Sequence, residues 1–296
     1  MTYNSLSQDT EIKLINRLSP FLANKTFVDI GAEKGVFAQT MLELGMNGVL
    51  FEPMPKHLPV LQKLVSKYEG ATLYNCAVTD IDTKQLFNVA TDANGQELDY
   101  YHSLQKAEAP GIFSHSKSFE VECRSLQSLA VRSEIPSGLG VLKTDTEGND
   151  LNVLRGLGAI RPEMVICEYF AGGLYNGWAE GVPESIIEYM RGLGYLTFLA
   201  TKRIGNFEFI GIGTTLYQEK QWGNLFFFRE DFYEKAKSVI AELLLSYEEA
   251  LSGKFNQIQD ELEAKEKIIQ MLTEICAERL DLINVLDAEV QRLRKI

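Results

Sequence analysis

The chain has 296 residues, with 29 lysines and arginines against 41 aspartates and glutamates, a formal charge of −12. That surplus of acid provides no general field for DNA, RNA or anionic lipid. No segment approaches the roughly 18–20 consecutive apolar residues of a membrane span. The length suits one α/β domain of roughly 200–250 residues with an appendage. Cys76, Cys123, Cys167 and Cys276 are scattered without metal or disulfide spacing and read as thiols of a reducing compartment. The N-terminus lacks the basic-then-apolar pattern of a secretory signal, so the expected location is the cytoplasm.

Apolar runs predict strands at Phe27–Ile30, Gly48–Phe51, Thr72–Tyr74, Val141–Leu142 and Met164–Cys167. Helical patterns fall at Val36–Leu44, Leu58–Tyr68, Asp150–Leu157 and Glu184–Leu193. Strands separated by helices of this length imply a parallel sheet covered on both faces. Tyr195–Ala200, Phe207–Ile212 and Leu225–Phe228 follow with no helix between them, and predict an antiparallel addition to that sheet. Composition changes at Arg229: residues 230–296 hold one glycine, Gly253, and no proline, and read as helix. The division is therefore into residues 1–229, a catalytic domain, and 230–296, an oligomerisation segment.

Val28-Asp29-Ile30-Gly31-Ala32-Glu33-Lys34-Gly35 is a strand running into a glycine turn that opens a helix. Two glycines strip side chains where a ligand approaches backbone, and the helix start offers free N–H groups. The spacing is G-x-x-x-G, not the G-x-G-x-x-G that cradles a pyrophosphate, and an acid precedes it. Glu52 ends the next strand, where an acid binds ribose hydroxyls in nucleotide-binding α/β folds. An acid beside the turn suits a cationic ligand without phosphate, such as S-adenosylmethionine. Asp145 and Glu168 end later strands. Four acids on the ligand-binding edge of one sheet form a constellation that solvation does not explain.

FVDIGAEKG, VLFEPMP, LYNCAVTD, LKTDTEGNDLNVLRG, MVICEYF and WGNLFFF, in this order over most of residues 25–229, resemble the FkbM-type S-adenosylmethionine-dependent methyltransferases. The Asp-x-Glu-Gly element and its Leu-x-Val-Leu-x-Gly helix are the most specific part. The resemblance implies a doubly wound Rossmann-like methyltransferase sheet with an antiparallel terminal strand. It implies methyl transfer to a hydroxyl of a sugar or other natural-product scaffold. Carried over residue by residue, Asp29, Gly31, Ala32 and Gly35 match the cofactor turn and Glu52 the ribose acid. Ala77 falls at the adenine edge, Asp145 and Glu147 match Asp-x-Glu-Gly, and Ser103-Leu104 match a Ser-Ser-Leu loop in which His102 replaces the first serine. Glu33 and Gln127 depart from the family's usual asparagine and aspartate.

Methyl transfer to an alcohol needs alignment and a proton acceptor. Asp145 is the first candidate for that base, then Glu168 and His102, with His115 weaker and His57 read as structural or solvent-facing. Asp145, Glu147 and Glu168 also have the composition of a Mg2+ site acting on a vicinal diol; the metal-free reading is preferred. Tyr100, Tyr101, Phe113, Tyr169, Tyr175 and Trp178 are candidates for a sugar-stacking wall, and Gly172–Trp178 for an acceptor lid.

From Ala241 a heptad runs through Leu262, Ile269, Cys276 and Ile283 at a and Leu272, Leu286 and Leu293 at d, interrupted by Lys265 and Arg279. Ile268, Ile275 and Leu282 at g and Leu280 at e widen the apolar face. The expected appendage is a C-terminal α-helical coiled coil that makes a homo-oligomer. The chain thus reads as an O-methyltransferase acting on a hydroxylated small molecule or saccharide, with no nucleic-acid partner. A non-catalytic scaffold of the same fold and a nucleotide-dependent oxidoreductase are the alternatives, separable by cofactor binding.

Overall fold

A computed structural model of the chain describes residues 6–171, 182–204, 207–212 and 222–293. It divides into two units, one ending at Leu244 and one beginning at Leu245.

In the first unit, α1 (Leu6–Leu18) precedes β1 (Thr26–Ile30), α2 (Val36–Glu43), β2 (Asn47–Phe51), α3 (Leu58–Val65) and β3 (Ala71–Tyr74). A second group follows: β4 (Ala77–Thr79), β5 (Thr83–Thr91), β6 (Glu108–Ala109), β7 (Phe113–Ser125) and α4 (Leu126–Val131). The chain then returns through β8 (Val141–Thr144), α5 (Asp150–Arg155), β9 (Met164–Phe170), α6 (Pro183–Gly192), β10 (Thr197–Ile204), β11 (Phe207–Ile212) and β12 (Trp222–Phe228). The last helix, α7 (Glu230–Leu293), starts immediately after Arg229, and its residues from Leu245 onward make up the second unit.

The main sheet has the order β11-β10-β12-β9-β8-β1-β2-β3. The pairs β3–β2, β2–β1, β1–β8 and β8–β9 are parallel. β12 enters antiparallel between β9 and β10, and β11 pairs antiparallel with β10, as the helix-free tail predicted. Strand order reverses at β1, which lies between β2 and β8, so a crevice opens beyond the carboxyl ends of those strands.

Strand alternation sends side chains into two cores. Val28, Ile30, Leu142, Val165, Cys167, Leu225 and Phe227 pack against α4, α5 and α6 on one face. Phe27, Leu50, Val141, Met164, Ile166, Phe226 and Phe228 pack on the other, against α1, α2, α3 and the first turns of α7. Those turns place Phe232, Ala236 and Ile240 in the core, each essentially inaccessible to solvent. The helix therefore contributes to the first unit well past Arg229.

The second sheet, β4-β7-β5 with β6 on β7, was not expected. Its signal is nonetheless in the sequence: Phe119, Val121 and Cys123 alternate with Glu120, Glu122 and Arg124 along β7, the period of a half-buried strand. Met54, Ala77, Phe87, Val89, Val121 and Cys123 form its core. Cys76, Cys123 and Cys167 are buried free thiols. Among the described residues no helix is long and apolar enough to cross a membrane.

Candidate active site

A cavity of about 530 Å3 opens beyond the carboxyl ends of β1, β2, β8 and β9. Its floor begins at Asp29. Only 1% of this residue is exposed, and neither carboxylate oxygen has a hydrogen-bond partner among the described residues. Burial pushes its carboxyl up to about 6, against the opposing pull of Lys143. The next turn needs its glycine: Gly31 has a φ of +76°, and a Cβ there would lie 1.9 Å from the carbonyl oxygen of Asp145. That close approach brings β1 and the end of β8 together, with Asp145 N–H donating to the Ile30 carbonyl at 3.0 Å. Gly35 has a different job. Its φ is +80°, and a Cβ would meet Leu64 and Leu61 at 2.7 and 2.9 Å, so it seats α2 on α3 and is not part of the cavity wall.

Glu52 is 4% exposed and held by two backbone donors, Glu33 N–H to Oε2 at 2.8 Å and Met54 N–H to Oε1 at 2.8 Å. His57 Nδ1 lies 3.6 Å from Oε1. His57 is buried, faces the cavity and is not solvent-facing; neither of its ring nitrogens has a hydrogen-bond partner among the described residues. Ala32 and Ala77 complete this part of the wall.

The ends of β8 and β9 bring three carboxyl groups together. One carboxylate oxygen from each of Asp145, Glu147 and Glu168 lies within 4.8 Å of the others. Burial works to raise Asp145, but Lys143 and a hydrogen bond with Glu168 outweigh it and hold the carboxyl below the ordinary carboxylate range. The Asp145 side chain is 37% exposed, and it lines the cavity. Burial and then the Asp145 charge push Glu168 well above its ordinary value. Glu168 is 8% exposed, and its Oε2 has no partner among the described residues. Burial and Asp145 likewise push Glu147 up to about 8. Asp150, pushed up to about 6 by burial and Asp145, is spent on the turn: it accepts from Thr144 Oγ1 at 2.7 Å and Thr146 N–H at 3.2 Å.

The loop between β5 and β6 supplies the opposite wall. Tyr101 has a φ of +70° and stacks on Phe113 with ring centres 4.6 Å apart. Its N–H donates to Glu147 Oε1 at 3.1 Å, and Glu147 itself has a φ of +55°. Both are left-handed conformations that non-glycine residues hold only when the surroundings enforce them. His102 Nδ1 accepts from Ala90 N–H at 3.0 Å, which places its proton on Nε2, towards the Leu98 carbonyl and 3.1 Å from Lys56 Nζ. Burial and then Lys56 lower this imidazole to about 4. Ser103 is fully buried, its hydroxyl donating to the Thr146 carbonyl at 3.3 Å and accepting from Gln105 N–H at 3.0 Å.

Thus the structure collects Asp29, Gly31, Ala32, Glu52, Ala77, His102, Asp145 and Glu168 around one cavity, while Gly35 and Ser103 stand behind its wall. Tyr100, Tyr101, Phe170 and Trp222 also line it. Tyr169 faces away and donates to the Thr201 carbonyl at 2.8 Å. Tyr175, Trp178 and the Gly172–Trp178 loop lie outside the described residues. Glu11 and Lys143 line the cavity unforeseen; a lysine in a four-residue buried strand, in register with Asp29, was the available signal for the second.

Residues 29–197 match the model of the methyltransferase FkbM domain, which is more than half of the chain. The chain belongs to that family. It is a methyltransferase, and membership implies S-adenosylmethionine as methyl donor and sets aside the oxidoreductase reading. No curated protein matches it. Among solved structures, a precorrin-6Y C5,15-methyltransferase from Geobacter metallireducens is 10% identical over 78% of this chain and 92% of its own, with a TM-score of 0.41. An rRNA methylase from Streptococcus thermophilus is 8% identical over 77% and 99%, with a TM-score of 0.39. An O-methyltransferase family protein from Burkholderia thailandensis is 11% identical over 76% and 56%, also at 0.39. None of these likenesses bears on which acceptor this FkbM-domain protein methylates.

Proposed function

We propose that this methyltransferase modifies a hydroxyl oxygen of a sugar, glycan or related natural-product acceptor. The observation that carries the reading is the Asp145–Glu168 pair. An alcohol must lose its proton as it is methylated, and a buried carboxyl with a raised proton affinity and an unfilled oxygen is suited to receive it. Glu168, once it has given its own proton to solvent, is thus the proton acceptor, and Asp145, held as an anion, is its hydrogen-bonded partner. His102 is assigned a structural role, because the ring nitrogen that a base would use already accepts Ala90 N–H.

The donor's fit is supported by the orphaned oxygens of Asp29, which suit an ammonium, and by Glu52, which is held in place to receive ribose hydroxyls. Gly31 and Ala32 leave backbone exposed, and Ala77 leaves space for a flat base. When bound, the donor supplies a methyl group already activated on a cationic sulfur. The chain's part is to align and to take the proton. Lys143 lies 3.0 Å from Asp145 and balances its charge, and the reading is made without Mg2+. Tyr100, Tyr101, Phe170 and Trp222 beside Glu168 and Asn224 offer the mixed apolar and polar wall that a saccharide uses.

The second unit is assigned to self-association as a coiled coil. Leu262, Ile268, Ile269, Leu272, Ile275 and Leu280 are 38–63% exposed on one helix, an apolar stripe that a second copy would cover. A chain ending at Leu244 is expected to fold and to show a lower subunit number by light scattering than the full chain. One ending at Arg229 is expected to unfold, having lost Phe232, Ala236 and Ile240. An unchanged subunit number for the first would remove the coiled coil from the account.

The deciding experiment is transfer of labelled methyl from S-adenosylmethionine to a panel of sugar nucleotides, glycans and RNA. Label on a saccharide oxygen is the expected result. Label on RNA or carbon alone would overturn the acceptor, and absence of donor binding in calorimetry would favour the scaffold.

A further inference from the structure

Lys143 is a buried cation among carboxyl groups, and the reaction as read uses it only to balance the Asp145 charge. It stands third in β8, in register with Asp29 of β1, and 6% of it is exposed. Nζ lies 3.0 Å from Asp145 Oδ2, 3.9 Å from Asp29 Oδ1 and 5.7 Å from the centre of the Phe37 ring of α2. Glu11 of α1 also acts on it. Around Asp145 stand Lys143, Glu168 of β9, Glu147, and Asp150 at the start of α5.

Two carboxyls in hydrogen-bond contact, here the partly exposed Asp145 and the buried Glu168, share one proton, and the nearest fixed charge decides which of them holds it. Here the cation touches Asp145, whereas Glu168 faces the cavity with an unfilled oxygen. We propose that Lys143 is a positioning residue that holds Asp145 as the anion of the pair, so that Glu168 is the member that gives its proton to solvent before the reaction and takes the alcohol's proton during it. The inference rests on reading this pair as the proton acceptor. Its reach to Asp29 is longer, which leaves the Asp29 oxygens open to a ligand cation. The same lysine therefore separates two neighbouring acids into two tasks.

The test compares Lys143→Met, Lys143→Arg and Glu168→Gln in the full chain. Two readouts are used: the pH profile of kcat/KM, and the titration of the aspartate and glutamate carboxyl carbons by NMR in ligand-free protein. Lys143→Met is expected to move the acidic limb up by at least one pH unit, about a tenfold loss on that limb, with recovery at higher pH. Lys143→Arg is expected to restore the limb. In the ligand-free protein the Asp145 carbon titrates low, and higher once Lys143 is methionine. A uniform loss at every pH with an unmoved limb overturns the proposal, as does an Asp145 signal that titrates above the ordinary carboxylate range in the unmodified chain. That last measurement needs no variant, so it stands even if Lys143→Met fails to fold. Full activity in Glu168→Gln removes the proton-acceptor reading instead, and the carboxyl titration then still decides what Lys143 does to Asp145.

Discussion

Two regions of the first unit bury titratable side chains, and they do so in opposite ways. At the strand ends, Asp29 and Glu168 are buried with oxygens that nothing in the described protein fills. In the second-sheet region, His102 and His115 are buried with both ring nitrogens engaged. His115 Nδ1 accepts from Ala107 N–H at 2.9 Å, and its Nε2 lies 2.6 Å from the Tyr101 carbonyl. An unfilled buried valence costs stability and persists where a ligand completes it; a filled one fastens loops. His57, buried with both nitrogens unpartnered beside Glu52, goes with the acids by this criterion, although its residue type does not.

The strongest attempt to break this contrast is Asp29→Ala. Loss of a desolvated carboxylate that receives a cation is expected to weaken S-adenosylmethionine binding by on the order of 100-fold in calorimetry; an unchanged affinity would make Asp29 structural. Next is Glu168→Gln, expected to lower kcat by about 100-fold or more while donor affinity stays within about threefold. Equal losses in both would place Glu168 in donor binding. His102 tests the other side. His102→Leu is expected to lose about 1–3 kcal/mol of stability by orphaning Ala90 N–H, and His102→Asn, whose oxygen can accept that bond, to keep most of it. Turnover lost equally in both at a temperature where they are folded would return His102 to the catalytic set.

The smallest effect is on pH dependence, and its sign differs between the regions. His102 and His115 are lowered by burial, so their contribution is present above an unfolded value of about 6.5. It is lost as pH falls towards about 4 for His102. Asp29 and Asp150, raised to about 6, and Glu147, raised to about 8, are the reverse. Their contribution is full below the ordinary carboxylate range and is lost as pH rises through those values. Between about pH 4 and 6.5 the two regions oppose each other; above that range Glu147 remains, so the melting temperature of the ligand-free protein should fall from about pH 7 to 9, and His102→Asn should lose less than the unmodified chain as pH falls from about 6.5 to 4. A curve flat between about pH 7 and 9 would contradict the Glu147 assignment, and an unchanged acidic slope in His102→Asn the His102 one.

Much of the acid side of this contrast was legible, because parallel strands announce themselves as apolar runs and their ends are fixed by register. Asp29, Glu52, Asp145 and Glu168 could be placed on one edge without coordinates. What each one does was less legible. Which of Asp145 and Glu168 holds a proton turns, in the proposal above, on Lys143, whose place beside Asp29 comes from pairing across strands far apart in sequence. Gly35 and Ser103 carry the right residue types but are consumed by packing and by backbone hydrogen bonds, and motif matching does not report that consumption. The second sheet was missed because its strands alternate apolar and charged residues within a long stretch lacking helical punctuation. The backbone partner of His102 was missed with it, since what surrounds a histidine follows from the fold of that sheet.

Tyr101 N–H on Glu147, Ser103 on the Thr146 carbonyl and Gln105 on Asn149 stitch the cavity loop to the Asp-x-Glu-Gly turn at three consecutive odd positions. Loop and turn are in effect one part made from two stretches of chain. Exchanging acceptor range between relatives by grafting residues 99–105 alone would mate a new loop to an old turn; the transplantable piece includes residues 145–149 as well.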